Sequence, residues 1–308
     1  MQSTSRGKFV ATNEWGGYVM LTSETAANHN FGGIWTLLKL EVLQSYLSFF
    51  TTALKNQGFK LVYIDAFAGS GSCTVTLSDE ETTVDGSASI ALETSPQFHE
   101  LLFIEKDSER FEALSTLATS HPNRKITLRR GDANQILPEW MAWREWHDTR
   151  GVLFLDPYGM STEWSLLKQI SETKAIDLWY LFPLSAFFRQ AAIDFRRIDE
   201  SKAAALTKMV GTADWHSALY STSPQAGLFD EEPSMQRHAD TDAILDFVTK
   251  RLKTVFPHVE KPWVLRQDKN RGAPLFALYF AVSNPDPKAI GLAQKVAQHI
   301  LGKAKSCT

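Results

Sequence analysis

The sequence predicts an α/β fold in which a mixed, seven-stranded, mostly parallel sheet carries helices on both faces. Three observations predict it. Short apolar runs alternate with segments whose apolar residues recur every three or four positions, as strands alternate with amphipathic helices. Four of the apolar runs end at an acidic or glycine-rich turn. Near the end of the chain, two strand-like runs flank a short polar loop and indicate a closing antiparallel hairpin.

Composition places the chain among globular proteins. It has 308 residues, of which 44% are hydrophobic and 22% are charged, enough for one large domain with appendages. The net charge of -3 gives no overall basic surface for nucleic acid, so such binding would need local basic patches. The two cysteines are far apart and favour neither a disulfide framework nor a metal site. With no signal peptide and no membrane-spanning apolar run, we expect a cytoplasmic location and no membrane contact.

The domain organisation follows from breaks in the periodic pattern. Residues 1–33 are mixed and polar and are interpreted as an N-terminal arm. Residues 34–308 form the predicted domain, with insertions at 72–85 and at about 184–260. In the first helix, Trp35 and Lys39 lie one turn apart, and we expect packing for Trp35 and a solvated charge for Lys39.

The central strand runs over residues 61–64 and ends at Asp65, followed by a turn with Gly69 and Gly71. Glycine takes positive φ and lets another group approach the backbone. A strand, an acidic residue and a glycine turn form the usual cradle for a nucleoside-bearing cofactor. The spacing is neither the dinucleotide fingerprint nor the phosphate loop. A tight turn without a ligand is the alternative.

The segment after this turn, residues 72–84, is polar and is predicted to be a surface insertion that could act as a lid. Its Cys73 is interpreted as an incidental thiol, because the sequence places no histidine beside it. A helix is expected to begin at residues 86–87, with Ser87 as its N-cap.

Two further strands end at acidic residues. Residues 101–104 end at Glu105, which is placed to accept hydrogen bonds from ribose hydroxyls, with Lys106 and Asp107 as alternatives. Residues 125–128 are followed by Asp132, which either accepts from an adenine amino group or caps the next helix.

The fourth strand is predicted at residues 151–156 and ends at Asp156, which is followed by Pro157 and Tyr158. An ordinary turn at the end of the strand is one interpretation of these three residues.

The later chain contains a predicted helix at 184–210, a loop at 221–241 and the closing hairpin at 263–267 and 275–283. The helix contains a run of basic residues, interpreted equally as a solvated face or a phosphate-contacting surface: Arg189, Arg196, Arg197, Lys202 and Lys208. Lys269 and Arg271, in the hairpin loop, are a second possible phosphate contact. His238, Asp240 and Asp242 have weak spacing for a metal, and no metal is predicted.

These motifs resemble those of class I S-adenosylmethionine (SAM) methyltransferases. The resemblance implies that the first turn holds the methionine end of SAM. It also implies that Glu105 binds the ribose and that Asp132 and Ala133 bind the adenine. The residues of the first turn are Asp65, Phe67, Ala68, Gly69 and Gly71. The Asp-Pro-Tyr-Gly segment at 156–159 resembles the amine-binding motif of base methyltransferases, with one proline rather than two. It is closer to the Asp-Pro-Phe-Gly of some tRNA guanine methyltransferases. By this resemblance Asp156, Pro157 and Tyr158 are the catalytic residues.

Residues 35–159 also resemble the three-Cys-motif partner protein family. The resemblance rests on motifs near residues 35–47, 63–69, 86–87, 103–105, 131–134 and 154–159. It implies a methyltransferase-like fold and a protein partner carrying a three-cysteine motif. The first hypothesis is SAM-dependent methylation of an amino group on a nucleic-acid base (RNA or DNA). The alternatives are a methyltransferase acting on a protein or small molecule, and a SAM-binding partner protein without catalysis.

Overall fold

A computed structural model describes residues 11–12, 18–19, 34–77, 80–222, 235–267 and 272–306. The helices of this part are α1 Ile34–Leu54, α2 Ser87–Glu93, α3 Ser108–Thr119, α4 Ala133–Ala142, α5 Trp164–Glu172, α6 Leu184–Gln190, α7 Glu200–Val210, α8 Trp215–Leu219, α9 Thr241–Leu252 and α10 Pro287–Ser306. The strands are β1 Ala11–Thr12, β2 Tyr18–Val19, β3 Lys60–Asp65, β4 Ser72–Leu77, β5 Glu80–Asp85, β6 Glu100–Glu105, β7 Ile126–Arg130, β8 Thr149–Leu155, β9 Ile176–Phe182, β10 Tyr220–Thr222, β11 Met235–Arg237, β12 His258–Val259, β13 Trp263–Arg266 and β14 Pro274–Val282.

The main sheet has the strand order β12, β14, β9, β8, β3, β6, β7, and β13 also pairs with β14. Strands β9, β8, β3, β6 and β7 are parallel to one another, whereas β14 is antiparallel to β9, β12 and β13. The two short strands β12 and β13 together cover the outer side of β14. The α/β fold with a mostly parallel sheet and an antiparallel closing hairpin is therefore confirmed.

The sheet is buried on both faces, which explains why its strands are continuous apolar runs. In β3, Val62 and Ile64 pack into one apolar cluster, and Leu61 and Tyr63 pack into the other. Helices α1, α2 and α10 cover the second face, and α4, α5, α6, α7 and α9 cover the first. No helix in the described ranges is long and apolar enough to cross a membrane.

The structure corrects three local expectations. The segment predicted as a surface insertion, with no regular element assigned to it, forms the antiparallel hairpin of β4 and β5. The single helix expected at 184–210 is broken into α6, a 3-10 turn at Phe195–Arg197, and α7, because the side chains of Asp194 and Asp199 cap new helical starts. The loop expected at 221–241 begins in strand β10 and contains strand β11, which pairs with β10, and its residues 223–234 lie outside the described part. Lys269 and Arg271 also lie outside it.

Candidate active site

Four acidic residues follow four adjacent strands of the sheet. Asp65 and Glu105 end β3 and β6, Asp156 comes directly after β8, and Asp132 comes two residues after β7. Because these strands are parallel and adjacent in the order β8, β3, β6, β7, their carboxyl ends meet at one edge. The four acidic residues therefore lie at one edge of the sheet.

The glycine turn after β3 is tied to the neighbouring strand β6. The amide of Ala68 donates to the Ile104 carbonyl at 2.9 Å, and the amide of Gly69 donates to Oε2 of Glu105 at 2.9 Å. Gly69 and Gly71 have φ values of 64° and 86°, which favour glycine. A Cβ on Gly71 would also lie 2.4 Å from the Leu117 side chain. The predicted tight turn is thus present and needs its glycines.

The hairpin of β4 and β5 leaves this turn and returns to it. The Gly86 amide donates to the Gly71 carbonyl at 2.9 Å, and a Cβ on Gly86 would meet the Gly71 backbone at the same distance. Helix α2 therefore starts next to the turn despite the insertion. Gly86, and not Ser87, is its N-cap, without a side-chain cap bond. The Ser87 hydroxyl bonds Asp65 instead, so its predicted capping role is wrong.

Asp65 lies fully buried beneath the turn. Its carboxyl accepts from the Tyr63 hydroxyl at 3.2 Å and from the Phe67 amide at 3.3 Å, besides the contact with Ser87. Burial raises the pKa of Asp65 to about 7, and these donors only partly offset that rise. The Asp65 carboxyl orders the turn through its hydrogen bond with the Phe67 amide, whereas Phe67 itself lines the cleft beside the turn. Direct contact of Asp65 with a cofactor stays a prediction.

Glu105 is buried and binds three backbone amides. Its Oε1 accepts from the amides of Lys106 and Asp107, each at 2.8 Å, and its Oε2 accepts from Gly69. A carboxylate offers about four acceptor positions, so little capacity remains for ribose hydroxyls. Asp107, the alternative, caps α3 by accepting from the Arg110 amide at 3.0 Å. Glu105 shapes the glycine turn, and its contact with ribose stays a prediction.

A cleft opens at this edge beside the turn. Asp132 on its wall caps α4, accepting from the Asn134 amide at 3.0 Å and from Lys106 Nζ at 3.1 Å. Burial opposes its charge, but these donors outweigh that effect and lower the pKa of Asp132. The capping role is therefore present, while the adenine contact stays a prediction. The cleft is lined by Ala66, Phe67, Glu105, Lys106, Gly131, Asp132, Ala133, Tyr158 and Ser161.

Asp156 forms an ion pair that the sequence analysis missed. Its Oδ2 accepts from Nζ of Lys39, whose side chain is only 14% exposed against 24% for Asp156. Burial alone would lower the pKa of Lys39, but the Asp156 carboxylate outweighs it and the pKa is raised. Lys39 is thus a largely but not fully buried ammonium at the site, and the expected solvated charge is wrong. Trp35, one turn earlier, is buried as expected.

Pro157 is buried, but Tyr158 projects outward and is 63% exposed. The Arg110 guanidinium lies 4.6 Å from the centre of its ring, a cation–π distance. The ring also forms part of the cleft wall, so it lies beside the predicted cofactor position. Asn134 holds the following segment, because its Nδ2 donates to the Ser161 carbonyl at 2.7 Å and its Oδ1 accepts from the Glu163 amide at 2.9 Å.

Cys73, on β4, lies within electrostatic range of Lys39 and Asp156. Burial raises the pKa of its thiol, and the nearby Lys39 only partly opposes that. A protonated thiol is a poor nucleophile, which agrees with the interpretation of Cys73 as incidental. Among the residues that the structure describes, no group of three or more possible metal ligands comes together.

The basic run at 184–210 is largely paired within the protein. Lys208 Nζ lies 2.8 Å from Glu163, Lys202 Nζ lies 3.5 Å from Asp199, and Arg196 Nη2 lies 3.0 Å from Asp194. These pairs are exposed and add little stability, but they reduce the positive charge available to a phosphate backbone. They favour a solvated face over a nucleic-acid surface.

Comparison with solved structures shows the fold. Protein LPL1258 from Legionella pneumophila matches with a TM-score of 0.51 and 12% identity, over 88% of this chain and 94% of that one. The N-terminal domain of EvdMO1 with SAH bound matches at a TM-score of 0.36 and 12% identity, over 78% of this chain and 80% of that one. The methyltransferase domain of bacterial CtHen1 matches with a TM-score of 0.35 and 10% identity, over 78% of this chain and 100% of that one. Only the first of these three scores exceeds 0.5, and it concerns the fold alone. No family model and no curated protein matches the chain.

Proposed function

We propose that this protein is a SAM-dependent methyltransferase that acts on an amino group of a planar ring, with a nucleic-acid base as the first substrate class. One observation carries the proposal. Tyr158, two residues after the Lys39-paired Asp156, lines the same cleft as Glu105 and Asp132. An amine-orienting carboxylate, an exposed ring and two acceptors for a nucleoside therefore belong to one edge of the sheet.

The residues present fit SAM. Its ribose hydroxyls and adenine amino group are hydrogen-bond donors, and its ammonium and sulfonium groups are cationic, so carboxylates complement all of them. Asp132 and Ala133 would hold the adenine, Glu105 the ribose, and the backbone near Gly69 the methionine end. Glycines 69 and 71 leave that backbone free of side chains. When bound, SAM supplies an electrophilic methyl group.

The acceptor side rests on Asp156. A neutral amine must direct its lone pair at the methyl group, which requires acceptors for its hydrogens. Lys39 binds Oδ2 of Asp156 and leaves Oδ1 for the amine, with the Pro157 carbonyl as a second acceptor. In this proposal the carboxylate would also take the proton that the amine loses on methylation. The exposed ring of Tyr158 would stack on the substrate ring.

A protein or small-molecule acceptor is the second candidate. The pairing of Lys202, Lys208 and Arg196 with nearby acids favours it, because a long nucleic acid needs unpaired cations. The resemblance to three-Cys-motif partner proteins supports a further possibility, a SAM-binding protein that acts with a protein partner.

The test is transfer of labelled methyl from SAM to separate pools of total RNA, total DNA, protein and small molecules. We expect label in a nucleic-acid pool, lost in Asp156→Ala and kept in Trp143→Ala, whose side chain is 91% exposed. Label in protein or small molecules would instead support the second candidate. Binding of SAM without transfer to any pool would support the partner-protein function, and no binding of SAM would overturn the proposal.

A further inference from the structure

A second cavity lies at the opposite edge of the sheet. It has a volume of about 340 Å³ and opens where β8 and β9 begin, between helices α1 and α10. Arg150 and Asp177 are the second residues of β8 and β9, whereas Asp156 follows the far end of β8. The cavity is therefore separated from the candidate active site by the length of these strands.

Its walls are mainly aromatic and aliphatic. The apolar lining comes from the second half of α1, from the residue before β3 and from α10: Phe49, Phe50, Leu54, Phe59 and Leu292. Leu292 is 48% exposed. A concave apolar site of roughly 300–1,000 Å³ with a few convergent polar groups is the usual form of a small-molecule site.

Asp177 supplies the main polar group. Its Oδ2 accepts from the Tyr46 hydroxyl at 2.7 Å, and its side chain keeps some accessible surface that faces the cavity. Dense surrounding protein raises the pKa of Asp177 to about 7, although Tyr46 and Arg150 both oppose the rise. Placing a carboxyl in such surroundings costs stability unless a partner compensates it. The proposed methyl transfer at the other edge does not use this group.

The other charged groups of the cavity are engaged. Nη1 of Arg150 donates to the carbonyls of Thr149 and Trp146 at 2.7 and 3.2 Å, and its guanidinium lies 4.0 Å from the Phe59 ring centre. Asp286 accepts from the first amides of α10. Two carboxyl groups and one guanidinium thus line the cavity, and this balance favours a cation over an anion.

We propose that this cavity is a second ligand site, which takes a small molecule with an aromatic or aliphatic body and a protonated amine that pairs with Asp177. The apolar body would fill the space between α1 and α10 beside Phe49 and Phe59. The ammonium would donate to the Asp177 oxygen that Tyr46 does not bind. Occupancy would thereby compensate the buried carboxyl.

The test titrates three probes of similar size into the full chain by calorimetry at pH 8. They are 2-phenylethylamine, the uncharged ethylbenzene and the anion 3-phenylpropionate. We expect 2-phenylethylamine to bind at least tenfold more tightly than 3-phenylpropionate. Asp177→Asn, which can still accept from Tyr46, should reduce amine affinity at least tenfold and leave ethylbenzene affinity unchanged.

A second variant tests the cavity itself. Ala289→Trp adds a large side chain at a partly exposed position of the lining and should abolish binding of both the amine and ethylbenzene. Saturating SAM should leave amine affinity unchanged, because the two sites are separate. The proposal would be overturned if the wild type did not bind the amine, or if neither variant changed the affinity for the amine. Either result would count against the second site whatever the methyl-transfer assay shows.

Discussion

Lys39 of α1 donates a hydrogen bond to Asp156, a residue 117 positions further along the chain. The contact joins the first helix of the domain to the carboxyl end of β8. Removing one partner of a mostly buried ion pair leaves the other charge uncompensated, which costs more than removing both. This difference allows variants at the two positions to separate a role in folding from a role in the reaction.

Lys39→Met should lower methyl transfer at least tenfold, about 1.4 kcal/mol of transition-state stabilisation, because Asp156 loses the group that orients it. Affinity for SAM should change little, since Lys39 does not line the cleft beside the glycine turn. Steady-state rates and calorimetry measure the two effects. The control is Lys168→Met, which removes an exposed lysine paired with Glu172. Equal activity in the two variants would assign Lys39 a structural role only.

Asp156→Ala should abolish methyl transfer while SAM affinity stays within about tenfold, or ~1.4 kcal/mol. It should also destabilise the fold, because Lys39 keeps a buried charge without this partner. The double variant Lys39→Met with Asp156→Ala should then be more stable to urea than Asp156→Ala, yet equally inactive. Full activity of Asp156→Ala on an identified substrate would mean that residues 156–159 form only a turn.

Glu105→Ala should weaken SAM binding by roughly 1–3 kcal/mol. Two causes are expected. The variant loses an acceptor for the ribose, and it also removes the hydrogen bond from the Gly69 amide that orders the turn. Asp107→Ala is the matched comparison, because Asp107 follows the same strand but caps α3. If calorimetry finds the larger loss in Asp107→Ala, the ribose contact belongs to Asp107.

Asp177→Asn should change how stability depends on pH. The folded pKa of Asp177 is about 7 and its ordinary value is 3.8, so its favourable contribution is present below pH 3.8 and is lost as pH rises through 7. Relative to the wild type, the variant should gain ~3 kcal/mol between pH 5 and pH 8, because the wild type loses about 1.4 kcal/mol per pH unit between pH 5 and pH 7. Urea unfolding at both pH values measures it. Asp214→Asn, at an exposed residue without a side-chain cap bond, should follow the wild type.

Much of the site could be predicted from the sequence because its motifs are local. Each acidic residue lies at the end of its own strand or within two residues of it, and the parallel order of the strands then brings Asp65, Glu105, Asp132 and Asp156 to one edge. The hydrogen bonds between side chains distant in sequence could not be predicted in this way. Ser87 suits a helix cap by residue type, but here its hydroxyl finds the buried Asp65 carboxyl, a partner 22 residues away that only the folded chain supplies.

The sequence by itself determined the elements, their order and the edge at which the acidic residues gather, because hydrophobic periodicity and turn chemistry act over a few residues. Tertiary structure alone decided the partners of the charged groups. Lys39 lies on a helix whose sequence permits a solvated lysine, and it becomes a largely buried, paired ammonium only in the folded chain, where Asp156 follows β8. The same packing pairs Tyr46 with Asp177 at the other edge. Burial and long-range pairing set these charges, and neither can be predicted from spacing along the chain.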